Sequence, residues 1–406
     1  MAAKKKYALK RTLGLFQVTV AGVGIILGAG IYALIGIASR DAGNAVWLSF
    51  LISAVVAAFT GLSYAELSTL FKGDAGEYDY TKKAFNKKLA WFITMAIIFT
   101  GIVSASAVSL GFAGYFSKLT GFSYLYSALA LIILMSWLNF RGIDDSSRFN
   151  TVATMIEFAG LIIILFIGLK HVGEVDLFET SSKGLFGVFQ AGALVFFAFM
   201  GFETIVKLNE ETINPTKTIP RALLLAIVIS AILYITVAIA AISVIPYQTL
   251  SQSKSPLADV AAVAFGSWAF ILLGIIALFS TSNTVLMTVV TTSRLSYGMA
   301  KEKSLPKFLS FVHKVHRTPY WSILLVGLAT LIFALVENIE LVADITTLFL
   351  FITFAIVNLS NIFLRYKDKR KRNFRVPLNI GKFPVLSALG VITALIMLYF
   401  SIINFF

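Results

Sequence analysis

The 406-residue chain contains no cysteine and only three histidines, His171, His313 and His316, each outside the apolar segments. The first absence excludes a disulfide framework and a thiolate metal site. Charge is also scarce: 13% of residues are charged against 58% hydrophobic, far less polar surface than a soluble domain of this length needs. Neither H-E-x-x-H nor G-x-S-x-G occurs, which argues against an integral-membrane enzyme, so no enzymatic activity, cofactor or metal is expected. No T-V-G-Y-G carbonyl filter occurs either, which argues against a channel.

Long apolar runs are abundant. Runs of about 20 residues mark helices that can cross a bilayer. Eleven are found, at roughly 15–38, 45–64, 89–116, 122–140, 151–169, 186–206, 222–245, 260–291, 320–336, 341–364 and 383–405. The first follows "AAKKKYALKR", is too long for a signal-peptide core and has no small-residue cleavage site, so it is expected to be retained. Placing the N-terminus in the cytoplasm puts 29 of the 34 Lys and Arg residues on that side and leaves the C-terminus extracellular. The formal charge of +14 is then a matter of membrane topology, a basic face against anionic lipid, and no nucleic-acid partner is expected. The basic stretch "YKDKRKRNFR" (366–375) reads as a cytoplasmic anchor.

The first span is oddly weak. "AGVGIILGAGIYALIG" (21–36) carries glycine at 22, 24, 28, 30 and 36, and glycine is a poor helix former. Gly24 and Gly28 form a GxxxG packing face. The sixth span, "GALVFFAFMGFETIVKLNEETINP", is interrupted in turn by Gly201 and the acidic Glu203. Two interrupted spans five apart predict a five-plus-five inverted repeat with broken helices one and six, the architecture in which a transporter site lies at mid-membrane. Repeat one covers about 12–170 and repeat two about 185–365, with the extra helix at about 383–405, all in one transmembrane domain. A break exposes backbone groups that lipid cannot satisfy. Free N–H groups at a half-helix start suit a carboxylate, and free carbonyls at a half-helix end suit an ammonium. Two such breaks can hold an α-amino acid.

Four separated motifs make the chain resemble the amino acid–polyamine–organocation superfamily of permeases. "GIILGAGIYALIG" is similar to its first-span break, and "YAELSTLFKGDAGEYDY" to the end of its second span. "FFAFMGFETIVKLNEETINPTKTIPRA" is similar to its sixth-span break and the E-x-x-x-N-P-x-x-x-I-P-R-A that follows, and "SRLSYGMAKEKSLPKFL" to the loop after span eight. The departures are Ala29 where many members have Ser, an Ala75-Gly76 turn without the usual preceding proline, and eleven spans where twelve is commonest. The resemblance implies the fold of the sodium-coupled leucine transporter and an all-α integral membrane permease for amino acids. Carried over by position, it implies a break at Gly28 and Gly201, amides of Ala29, Gly30 and Ile31 for the substrate carboxylate, and carbonyls of Ile26, Phe197 and Met200 for the ammonium. Phe197 and Phe199 are implied as an aromatic gate.

Glu157 is the only ionisable residue in its span. A lone ionised carboxylate at that depth is costly, so it is expected to be paired, wetted or neutral, and a carboxyl that can be neutral suits a proton carrier. Sodium-coupled relatives place their ion between spans one, five and eight, and span eight supplies Ser280, Thr281 and Ser282 to bond Glu157 or to ligate sodium with it. Glu203 is the alternative proton carrier, or else a cap for unpaired backbone. Glu66 and Arg148 are expected in gate or scaffold contacts. The lining of the site reads as mostly small and apolar, with no fixed anion beyond Glu203, which favours neutral amino acids. The expected function is proton-coupled amino acid uptake across the cytoplasmic membrane. An amino acid or polyamine exchanger, a sodium symporter and a sensor on the same fold are the alternatives, and oligomeric state is left open.

Overall fold

The computed structural model describes residues 11–71, 76–253, 255–336 and 339–403, without the side chains at 29, 33 and 336–344. Ala75 of the expected turn, the lysines of the N-terminal tail and the side chain of Ala29 thus lie outside the described residues.

Mean hydropathy is high all round most of these helices, so they are stable only in lipid or in a helical core. Span one is α1 (Leu15–Ile26) followed by α2 (Ala29–Ala42), and span two is α3 (Val46–Leu70). A short helix, α4 (Glu77–Ala84), leads to spans three to five, α5 (Lys87–Thr120), α6 (Tyr124–Arg141) and α7 (Ile143–Leu169). Span six is α8 (Gly184–Phe199) continued by a 3-10 helix at Phe202–Glu211, and span seven is α9 (Pro215–Val244). Two short helices, α10 (Tyr247–Leu250) and α11 (Pro256–Phe265), precede span eight, α12 (Ser267–Lys301). Then come α13 (Tyr320–Phe333), α14 (Ile339–Lys367), a small hairpin of β1 (Asn379–Ile380) and β2 (Phe383–Pro384), and α15 (Val385–Ile403).

A boundary differs from the sequence reading. Span eight does not begin at Val260: Gly266 takes φ +77°, ends α11 and restarts the chain as α12. The ninth apolar segment is a 14-residue α-helix continued by a 3-10 turn at Ala334–Val336, shorter than the ten other spans among the described residues.

The packing repeats after five spans. Span two lies on span seven and span three on span eight. Span one touches span seven as span six touches span two, and span five touches span eight as span ten touches span three. Spans four and nine pack on each other. Each of these partners is exchanged when five is added to its number, which is the contact pattern of a five-plus-five repeat. Burial follows: 78% of the apolar window of α5 is covered, against 28% for α15 and 33% for α6, which form the rim.

Candidate functional site

Both breaks fall at the centre of this bundle. In span one the helix ends at Ile26, Leu27 and Gly28 are non-helical, and α2 starts at Ala29. Ala29, Gly30 and Ile31 are thus its first three residues, whose N–H groups have no carbonyl within the helix to bond. Close approach explains the glycines. A Cβ on Gly30 would lie 2.4 Å from the Ala198 Cα, and one on Gly24 would lie 2.1 Å from the Thr154 hydroxyl.

The second break is built differently. Gly201 takes φ +120°, which a side chain would strain, and the chain continues as a ten-residue 3-10 helix. Its first amide is not free: the Gly201 N–H donates to Glu203 Oε2 at 2.9 Å, and the Thr204 hydroxyl donates to the Gly201 carbonyl at 2.6 Å. Glu203 therefore caps backbone, one of the two roles read for it.

A cavity of about 40 Å³ lies between the breaks, room for roughly three waters. Its walls hold Ile26, Gly28 and Gly30 from the first break, and Phe197, Met200, Gly201 and Glu203 from the second. Ile31 and Phe199 are not among its lining residues. Phe199 is buried against Tyr234, with ring centroids 5.1 Å apart and planes at 86°. Most of the lining is small or apolar, as expected, with Ile25, Ile97, Gly101, Val108 and Leu350 completing it, but polar side chains that the sequence reading did not place there stand among them. Six threonines (Thr100, Thr204, Thr284, Thr288, Thr291, Thr292), Ser104 and Lys207 face it. Their helices are apolar overall, so composition does not reveal which residues turn inward.

Tyr234 is a residue that the sequence reading passes over. Its hydroxyl, on α9, reaches the Ile26 carbonyl and, at 3.0 Å, the Ala198 carbonyl, tying the two breaks together. The available signal was a tyrosine in mid-span, whose O–H needs a partner wherever it is buried. The Phe197 carbonyl accepts the Met200 N–H at 3.2 Å and keeps its second lone pair.

A second polar cluster sits between spans one, five and eight. Glu157 is fully buried, and Ser280 Oγ donates to its Oε1. Glu157 Oε2, the Asn283 Oδ1 and both amide atoms of Asn150 have no partner. Asn283 Nδ2 spans the Gly24 carbonyl at 3.2 Å and the Thr154 hydroxyl at 3.1 Å. Thr281 and Ser282 do not reach Glu157; their hydroxyls donate back to Ala277 and Leu278 of their own helix.

Buried ion pairs fill the face that carries most of the basic residues. Lys207 Nζ lies 3.6 Å from Glu77, which also accepts the Tyr64 hydroxyl at 3.1 Å, and all three are buried. Arg294 pairs with Glu211 at 3.3 Å and donates to Asn139 Oδ1 at 2.7 Å. Glu66 binds Arg365 at 2.5 Å and Arg372 at 2.9 Å, and accepts the Val376 N–H at 2.8 Å. The basic stretch is therefore folded onto helix ends and is not only a lipid-facing anchor: Arg370 donates to the Leu70 carbonyl and Arg372 to the Leu364 carbonyl. Arg148 is exposed and lines a surface groove with Asp144 and Gln17. On α4, outside the spans, burial and the Glu302 charge push the Asp79 carboxyl up to about 6, against Lys82 and Lys301.

A helical bundle with two interrupted spans facing one mid-bundle cavity is the arrangement of a transporter. The family model described as amino acid permease matches residues 13–406, and the chain belongs to that family. It is 27% identical to the branched-chain amino acid permease BcaP of Bacillus subtilis (strain 168), over 98% of this chain and 89% of that protein. It is 27% identical to the methylthioribose transporter of the same organism, over 95% and 88%. With the chloroplastic cationic amino acid transporter 9 of Arabidopsis thaliana it shares 27% identity over 75% of this chain and 58% of the plant protein. The protein is a multi-pass membrane protein of the amino acid transporter type.

Proposed function

We propose that this protein is a secondary active transporter that carries amino acids across the cell membrane by alternating access, with accumulation driven by a proton carried at Glu157. The pairing of two interrupted helices at one cavity carries the reading. The free amides at the start of α2 suit the substrate carboxylate, and the carbonyls of Ile26, Phe197 and Met200 suit its ammonium. At the second break the Gly201 amide is already taken by Glu203, so the carboxylate is assigned to the first. Phe197 is the gate residue on this reading, and the two halves of one domain, about 12–170 and 185–365, move against each other around the site. The excess of Lys and Arg puts the ion-paired face in the cytoplasm with the N-terminus, and the C-terminus outside.

A second reading has an observation of its own. The unpartnered oxygens of Glu157, Asn283 and Asn150, beside the Gly24 carbonyl, are hard ligands that suit sodium. Uptake into proteoliposomes with imposed pH or sodium gradients separates the two. Proton coupling predicts accumulation driven by an acidic exterior, and Glu157→Gln retaining binding and exchange while losing that accumulation. Uptake that follows the sodium gradient alone favours the ion site. Proton-driven accumulation that survives in Glu157→Gln removes Glu157 from the mechanism.

A further inference from the structure

Two hydroxyls of the cavity are both enclosed and unpaired. A Ser or Thr inside a helix ordinarily donates to a carbonyl one turn back. Most of their neighbours do so: Thr94 bonds Ala90, Ser106 bonds Val103, Ser109 bonds Ser106, Thr284 bonds Ser280 and Thr291 bonds Met287. Thr100 and Ser104 do not. Both line the cavity, they are 4% and 0% exposed, and neither hydroxyl has a partner. Four residues apart on α5, they stand on one face, one above the other. Across from them α12 presents Thr292, brought close because a Cβ on Gly101 would lie 2.2 Å from its hydroxyl. A buried hydroxyl without a partner is destabilising, so two at one wall mark a place where a ligand completes the bonding.

We propose that Thr100 and Ser104 read the substrate side chain, and that the side chain they select is short, uncharged and hydrogen-bonding, a hydroxyl or carboxamide. This rests on the reading of the cavity as an amino acid site and specifies its substrate class. The charged groups of the lining do not compete for that part: the Glu203 carboxylate is engaged by the Gly201 amide and Lys207 by Glu77. A site that bonds a substrate hydroxyl rejects the isostere lacking it, because its own polar groups are then left unpaired.

The test is binding to the purified full-length protein, by calorimetry and thermal shift, of the isosteric pair L-threonine and L-valine and of L-serine and L-alanine. The expected result is that threonine and serine bind at least about tenfold more tightly than valine and alanine. Thr100→Val combined with Ser104→Ala is expected to narrow that ratio to about threefold or less, without lowering the thermal midpoint of the ligand-free protein, since it removes unpaired groups. Valine binding as tightly as threonine to the wild-type protein overturns the inference and leaves the amino acid site standing. That comparison needs no variant to fold. Binding of no amino acid of any class overturns the site reading, and the inference with it.

Discussion

The two interrupted spans hold equivalent places in the repeat and solve the same problem in opposite ways. The first break removes side chains: Gly24 and Gly28 make room for the side chains of Thr154 and Thr284, Gly30 lets backbone approach backbone at Ala198, and the helix that follows is an ordinary α-helix with its first amides unclaimed. The second keeps its side chains and uses them: Gly201 turns the chain at φ +120°, Glu203 takes the freed amide, and a 3-10 helix follows. Symmetry of fold therefore does not carry symmetry of chemistry. One break is open to an outside anion, while the other has its own anion built in.

Substitutions can break this comparison, and the largest effect is expected at the first break. Gly30→Val drives a branched side chain into the backbone at Ala198, which cannot yield, and is expected to cost about 3 kcal/mol or more, seen as lost yield and a lowered thermal midpoint. Gly201→Ala strains φ +120° and also meets Cγ2 of the β-branched Ile25 at 2.2 Å; the strained φ alone is expected to cost about 1–3 kcal/mol. Glu203→Ala leaves the Gly201 amide unpaired in the core and is expected to cost about 1–3 kcal/mol, whereas Glu203→Gln keeps an acceptor oxygen and should retain most of the midpoint. Equal losses for the two would mean that the charge, and not the cap, matters there.

Tyr234→Phe sharpens the comparison, since it removes a single hydroxyl from both breaks. A loss of about 1 kcal/mol is expected by thermal denaturation. A pH dependence is expected at α4, which carries both Glu77 and Asp79. The folded protein holds the Asp79 proton up to about pH 6, whereas the unfolded chain releases it near 3.8. The stabilisation is thus present at low pH and is lost as pH rises from about 4 to 6. Asp79→Asn should flatten that part of a plot of midpoint against pH.

Much of this architecture is legible in the sequence because a bilayer imposes simple demands. Apolar length marks the spans, and glycine clusters at 22–30 and at 201 mark the breaks. What sequence does not convey is which residues meet. Glu66 and Arg365 are 299 positions apart, and Lys207 reads as one more basic-face charge although it is buried beside Glu77. The threonines of α5 and α12 pass for helix filler until the inward face is known. Tyr234 passes for one aromatic among many. The ninth segment is helical over the residues read, 320–336, but apolar composition does not tell that its last turn is 3-10 rather than α.

The three acid–base pairs of the basic face have a consequence for how that face behaves. Lys207–Glu77, Arg294–Glu211 and the Glu66 cluster are buried, out of reach of the counter-ions that weaken exposed pairs such as Lys183–Asp41, whose lysine is 46% exposed. Added salt should therefore weaken the exposed pairs, Lys82–Glu302 and Lys301–Glu210 on the basic face among them, and leave the three buried ones intact. A buried charge parted from its partner before water arrives is costlier than either the paired or the fully hydrated arrangement. A door held this way has no stable half-open position: it is shut, or it is flooded.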